Sequence, residues 1–186
     1  MSKKYCLYII ILLSAVITAG CAAASPPAGG ETACLPLNEG VKDLSFLSSS
    51  EIEILEAVNR IRSACAAPGK PQPLKVSRGL SFASSERANE LAGPKKPAIT
   101  KEEERNRLFG RVRKFGAWKG SVSEIASYGY SGSDVVTEIM KNGSAAGKQP
   151  PPYFMDVKFS VMGVGCTSAG FPSPICVITF ASEFQE

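Results

Sequence analysis

The N-terminal segment constrains this chain most, because it decides where the rest must fold. Lys3 and Lys4 precede an almost unbroken apolar run, Cys6 to Ile17, which leads through Thr18-Ala19-Gly20 to Cys21. The run is too short to span a bilayer comfortably and has the form of a secretory h-region. The chain therefore folds outside the cytoplasm, where disulfides persist. Removing the first twenty residues leaves about 165, enough for one domain that buries roughly 70% of its unfolded surface. Nothing else in the sequence is long and apolar enough to cross a membrane.

The same segment resembles a bacterial lipoprotein signal, in which a cysteine after a small residue is acylated and becomes the new N-terminus. Cys21 is then the lipidation site, although Thr18 stands where such signals more often carry Leu. Plain secretion, with cleavage after Ala24, is the alternative. Residues 1–20 would be the signal, 21–33 an acylated tether rich in Ala, Pro and Gly, and 34–186 the folded domain. The acyl chains would tie the chain to a membrane, the outer one if the source has two, since Ala22 rather than Asp follows Cys21.

Cys34, Cys65, Cys166 and Cys176 are left to pair, and four cysteines allow three connectivities. Val161 to Cys166 and Cys176 to Phe180 read as strands flanking a Gly-, Pro- and Ser-rich loop. Antiparallel neighbours can set two cysteines across from each other, so Cys166 is expected to pair with Cys176. Cys34 with Cys65 follows by elimination.

The sequence contains no histidine. Ser-His-Asp and Cys-His catalysis and imidazole metal sites are thereby excluded. The formal charge of +4 includes the two signal lysines, so the mature chain is too weakly basic to argue for nucleic acid.

Along the chain, Ser50 with Glu53 forms a capping box ahead of a helix whose Ile54, Val58, Ile61 and Cys65 recur at helical spacing. Pro68-Gly69 ends it. Gln72 to Val76 is a short extended link. A second helix follows from Arg78 to Ala92, with Leu80, Ala83, Ala88 and Leu91 on its apolar face and Arg87 close to it. Gly93 to Ile99 is irregular. Thr100 with Glu103 caps a third, charged helix running to about Lys114, with an apolar edge of Leu108, Val112 and Phe115. Its basic cluster, Arg105, Arg107, Arg111, Arg113 and Lys114, reads as a solvated face. Ser121 to Ala126 is a short strand. Asp134 to Lys141 is a helix carrying Val135, Val136, Ile139 and Met140 and stopping at Asn142-Gly143. Ser144 to Pro152 is a loop. The terminal strands offer Phe159, Val161, Val164, Val177, Ile178 and Phe180 as core. Mixed helices and strands ending in an antiparallel pair make the class α+β.

Taken in order, these elements resemble the CAP superfamily, the cysteine-rich secretory, antigen 5 and pathogenesis-related domain also called SCP. Glu56-Ala57-Val58-Asn59-Arg60-Ile61-Arg62 is similar to the family's "VNxxR" helix, and Pro73-Leu74-Lys75-Val76 to the link after it. Ser123-Glu124-Ile125-Ala126-Ser127-Tyr128-Gly129-Tyr130 resembles "GENIAxGY". Asp134-Val135-Val136 with Ile139-Met140 resembles "EVVxxWL", and Phe159 to Gly165 resembles "FTxVGVG". The resemblance covers about Glu51 to Ala181. It implies an α-β-α sandwich, a small antiparallel sheet flanked by helices.

Many members place two histidines and acidic residues in a central cleft that can bind a divalent metal. Here the first histidine position falls at Arg87. The second falls in Ser144 to Met155, which has none. Glu124 matches a family cleft residue, and an Arg87–Glu124 ion pair is expected in place of the metal. No cofactor is expected. The resemblance implies a non-enzymatic binding module for a hydrophobic small ligand or an envelope protein, with Gly143 to Pro152 and Gly93 to Ile99 as contact regions. The alternatives are a structural envelope lipoprotein and a hydrolase using Glu124 as general base.

Overall fold

Where the first helix begins is decided by one carboxylate. The computed structural model describes residues 43–64, 71–94, 98–145, 152–168 and 173–186. In it α1 (Ser49–Ala64) starts one residue after Ser48. Glu51 Oε2 accepts from the Ser48 backbone N–H at 2.7 Å and from its hydroxyl at 2.8 Å. The expected box at Ser50 and Glu53 is thus displaced by two residues. Ser48-x-x-Glu51 satisfies the same rule, and Ser50 Oγ instead accepts from the Gly132 N–H at 2.7 Å. The other oxygen of Glu51 accepts from the Cys166 N–H at 2.8 Å, so the helix start is also tied to the sheet.

Asn59 and Arg62 hold the chain that follows α1. The Asn59 amide takes both backbone groups of Leu74, accepting from its N–H at 2.7 Å and donating to its C=O at 3.0 Å. Leu74 leads into β1 (Lys75–Val76), which pairs in parallel with β3 (Val161–Thr167). The sheet, ordered β1, β3, β4 (Ile175–Gln185) and β2 (Ala117–Tyr128), is therefore mixed rather than wholly antiparallel. A two-residue strand has no alternation from which its direction could be read.

Helix α2 (Arg78–Ala92) is capped by Ser77, and α3 (Lys101–Arg113) carries the expected capping box of Thr100 and Glu103. Strand β2 (Ala117–Tyr128) is twice as long as expected. Gly120, at φ 75°, accommodates a register shift between Lys119 and Val122, so the strand continues through a glycine that reads as a break. Helix α4 (Ser133–Ala145) passes through Asn142-Gly143, and a short α5 (Pro152–Met155) closes the expected loop. Strand β4 (Ile175–Gln185) pairs antiparallel with both β3 and β2.

The sheet is sandwiched. On one face α1, α4 and α5 enclose Ile54, Val58, Val135, Val136, Phe154, Phe159, Met162, Val164, Ile178 and Phe180. Phe180 sits among Phe154, Phe159 and Tyr153, with ring centroids 5.7–6.3 Å away. On the other face α2 lies directly on the backbone of β3. A Cβ on Gly163 would come within 2.2 Å of the Leu80 carbonyl carbon, and one on Gly165 within 2.1 Å of the Ser85 nitrogen. Small hydroxyls complete this contact. Ser84 Oγ bonds to Thr179 Oγ1 at 2.8 Å, and the Val164 N–H donates to Ser81 Oγ. Leu80, Ala83, Leu108, Val112 and Ala181 form the second core cluster. Of the expected core, Ile61, Leu91, Phe115, Met140 and Val161 are only partly buried.

Cys166 and Cys176 face each other in the β3–β4 register and are disulfide-bonded, as expected from the hairpin. The Cys34–Cys65 pairing, the signal, Cys21, the tether and most of the two expected contact loops lie outside the described residues. Among the described residues no helix is long and apolar enough to cross a membrane.

Candidate functional site

Three elements bring charged side chains together at the outer edge of the α2 layer. Arg87 and Glu90 come from α2, Glu104 and Arg111 from α3, and Glu124 from the middle of β2. Arg87 and Glu124, the two residues singled out from sequence, meet with Nε 3.3 Å from Oε1. Arg87 also reaches Glu90 Oε2 at 3.2 Å and Glu104 Oε1 at 2.9 Å.

The centre of the cluster is a residue the sequence reading placed in solvent. Arg111 is 3% exposed. Its Nη2 donates to both oxygens of Glu124, at 2.8 and 2.7 Å, and its Nη1 lies 3.2 Å from Glu90 Oε2. The correction has a simple origin. Leu108, Arg111, Val112 and Phe115 share one helical face, so the apolar edge of α3 carries Arg111 into the protein with it. Burying a guanidinium demands carboxylate partners, and Glu124 and Glu90 supply them. Its Nε is buried with no hydrogen-bond partner among the described residues.

This arrangement does not fit a divalent metal. The first histidine position of the resemblance is a fixed cation, and both oxygens of Glu124 are engaged by Arg111. Among the described residues no group of three acidic, cysteine or histidine side chains is placed to hold a metal ion. What remains of the cleft is a recess of about 290 Å³ bordered by Glu104, Arg105, Leu108, Glu124 and Tyr153.

A larger opening lies elsewhere, between α1 and α4. It is an open groove of about 640 Å³ with Ala57, Ile61, Val136 and Met140 along its length and Arg60, Lys141, Ser133 and Thr137 at its margins. The floor follows from two amphipathic helices whose apolar stripes meet without filling the space between them. The margins carry two cations and two hydroxyls. The signal in the sequence was the α1 stripe opposite the α4 stripe, but which two helices would lie side by side was not legible there.

No protein-family model matches the chain. No curated protein sequence matches it either. Solved structures do. A cysteine-rich secretory protein from Staphylococcus aureus subsp. aureus Mu50 superposes with a TM-score of 0.51 at 16% identity, over 72% of this chain and 38% of that one. Venom allergen-like protein 4 of Schistosoma mansoni gives a TM-score of 0.46 at 15% identity, over 75% of this chain and 92% of that one. The chain thus spans well under half of the staphylococcal protein. At such identities the likeness is one of fold, and the fold is the α+β sandwich of the cysteine-rich secretory, or CAP, proteins.

Proposed function

We propose that this chain is an extracytoplasmic binding module, held at a membrane by acyl chains on Cys21, that takes an elongated apolar ligand into the α1–α4 groove and performs no chemistry on it. The observation that carries this reading is the groove itself, an apolar channel rimmed by Arg60 and Lys141. Such a shape suits a hydrocarbon tail with a polar or anionic head. The ion-paired cleft supports the non-enzymatic part, because a general base must be free to take a proton. Glu124 instead directs both oxygens at Arg111. The same filled cleft favours a purely structural envelope role as the second reading.

Cys21→Ser should move the full chain from the membrane fraction to the soluble one. That soluble form, titrated with cis-parinaric acid, should enhance the probe's fluorescence, and Thr137→Trp at the exposed groove margin should weaken binding at least about tenfold, or more than about 1.4 kcal/mol. Absence of binding, or binding indifferent to the tryptophan, would leave the structural reading in its place.

A further inference from the structure

The face of α4 turned away from the groove borders a second recess, of about 220 Å³, at the C-terminal end of β2. Ala126, Ser127, Tyr128, Glu138, Ile139 and Asn142 line it. Three observations set it apart. Ser127 is 4% exposed, yet its Oγ has no hydrogen-bond partner among the described residues. A buried hydroxyl left unpaired is costly and uncommon, and it calls for a group from outside. Next, Tyr128, which lines the recess, and Tyr130, two residues on, remain 57% and 39% exposed. Gly129, at φ 87°, makes the turn that separates them. Finally, Glu138 accepts from Asn142 Nδ2 at 2.7 Å, and it holds the Tyr130 phenol above its ordinary pKa through its charge and a hydrogen bond.

The chemistry of the lining selects a ligand class. A free anion is disfavoured by Glu138 beside Asp134, and a hydrocarbon by the hydroxyl, amide and carboxylate. The recess is smaller than the roughly 300–1,000 Å³ typical of drug-sized sites, so it suits one ring of a longer molecule. A pyranose with equatorial substituents offers axial C–H bonds to an aromatic face and vicinal hydroxyls at its edge. The exposed Tyr128 provides the first complement, being rigid and amphipathic. Carboxylate, amide and hydroxyl groups that both donate and accept provide the second.

We infer that this recess binds one pyranose ring of a β-linked glycan, with Tyr128 as the stacking face and Ser127 Oγ, Glu138 and Asn142 bonding to its hydroxyls. The site is separate from the α1–α4 groove and does not depend on what that groove holds. An N-acetylated cell-wall glycan and a neutral polysaccharide share this chemistry.

The test is saturation-transfer NMR on the full-length chain in a detergent without a sugar headgroup, with chitotetraose and cellotetraose in separate arms. Transfer to the ring C–H protons of either oligosaccharide is expected, and the arm with the stronger transfer identifies the source. Tyr128→Ala, at an exposed position, should weaken binding at least about tenfold. Ser127→Ala should weaken binding while leaving the melting temperature equal or higher, because it deletes a hydroxyl that has no internal partner. No transfer from either oligosaccharide, or transfer unchanged in both variants, would overturn the inference.

Discussion

Arg62 and Arg111 are 1% and 3% exposed, in opposite helical layers of the same sheet, and they are accommodated by opposite means. Among the described residues Arg62 has no carboxylate bonded to it. Its Nε donates to the Gln72 carbonyl, Nη1 to those of Phe154 at 2.8 Å and Asp156 at 3.3 Å, and Nη2 to that of Phe159 at 3.0 Å. Burial pulls its pKa down, with Asp156 acting in the other direction. Arg111 is bonded to carboxylates and leaves its Nε unpaired. One arginine therefore fastens backbone, joining α1 to the β1 link and the α5 turn. The other balances charge among side chains that are themselves partly open to water. A buried cation can be met by dipoles or by charges, and only the first choice makes it a structural clasp.

The sharpest way to break this contrast is Arg62→Met. Four carbonyls from two segments would lose their donor together, and the expected loss is on the order of 3–5 kcal/mol in urea unfolding, similar at low and high salt. A loss below about 1 kcal/mol would mean that water replaces the clasp. Arg111→Met should cost less, about 2 kcal/mol, since Arg87 remains beside Glu124 and the carboxylates can hydrate. Paired with Glu124→Gln in a double-mutant cycle, it should show a coupling of about 1–3 kcal/mol that shrinks with salt. A cycle that closes without coupling would reduce the network to coincidence.

The smallest effect is expected at Asp156. Burial pushes its carboxyl up, but hydrogen bonds from Lys158 and the charges of Lys158 and Arg62 outweigh this and hold it below the ordinary aspartate value. A carboxylate with a depressed folded-state pKa contributes stability that is complete above its unfolded value and is lost as pH falls through the folded one. The Asp156 contribution should therefore be present above about pH 4 and disappear in more acid solution. Comparing wild type with Asp156→Asn across that range should reveal a difference of a few tenths of a kcal/mol, in keeping with a pair open to solvent. A difference that persists unchanged in acid would assign the effect to something other than its charge.

Much of this architecture is legible in the sequence because local chemistry and tertiary environment agree. The α2 limits follow from Ser77 and Gly93, and the α3 start from the Thr100–Glu103 box. The Cys166–Cys176 bridge follows from two strands about a turn-rich loop. Legibility fails where a residue's type argues against its position. Arg62 continues the Ile54–Val58 stripe and Arg111 the Leu108–Phe115 face, yet charge makes each look solvated. Helical spacing alone would have placed both inside. The parallel pairing of β1, the bulge at Gly120 and the groove between α1 and α4 depend on partners remote in sequence. No local pattern encodes them.

Glu51 carries a further consequence. One of its oxygens starts α1 and the other fastens the amide of a disulfide-bonded cysteine. The helix is therefore moored to the sheet at that corner by a hydrogen bond, beside a covalent cross-link that joins β3 to β4 and needs an oxidising surrounding. Reducing the disulfide would sever the hairpin's own cross-link and leave the mooring of the helix standing. In a surrounding of fluctuating redox potential the chain can thus lose its staple while the helix that forms one wall of its groove stays in register.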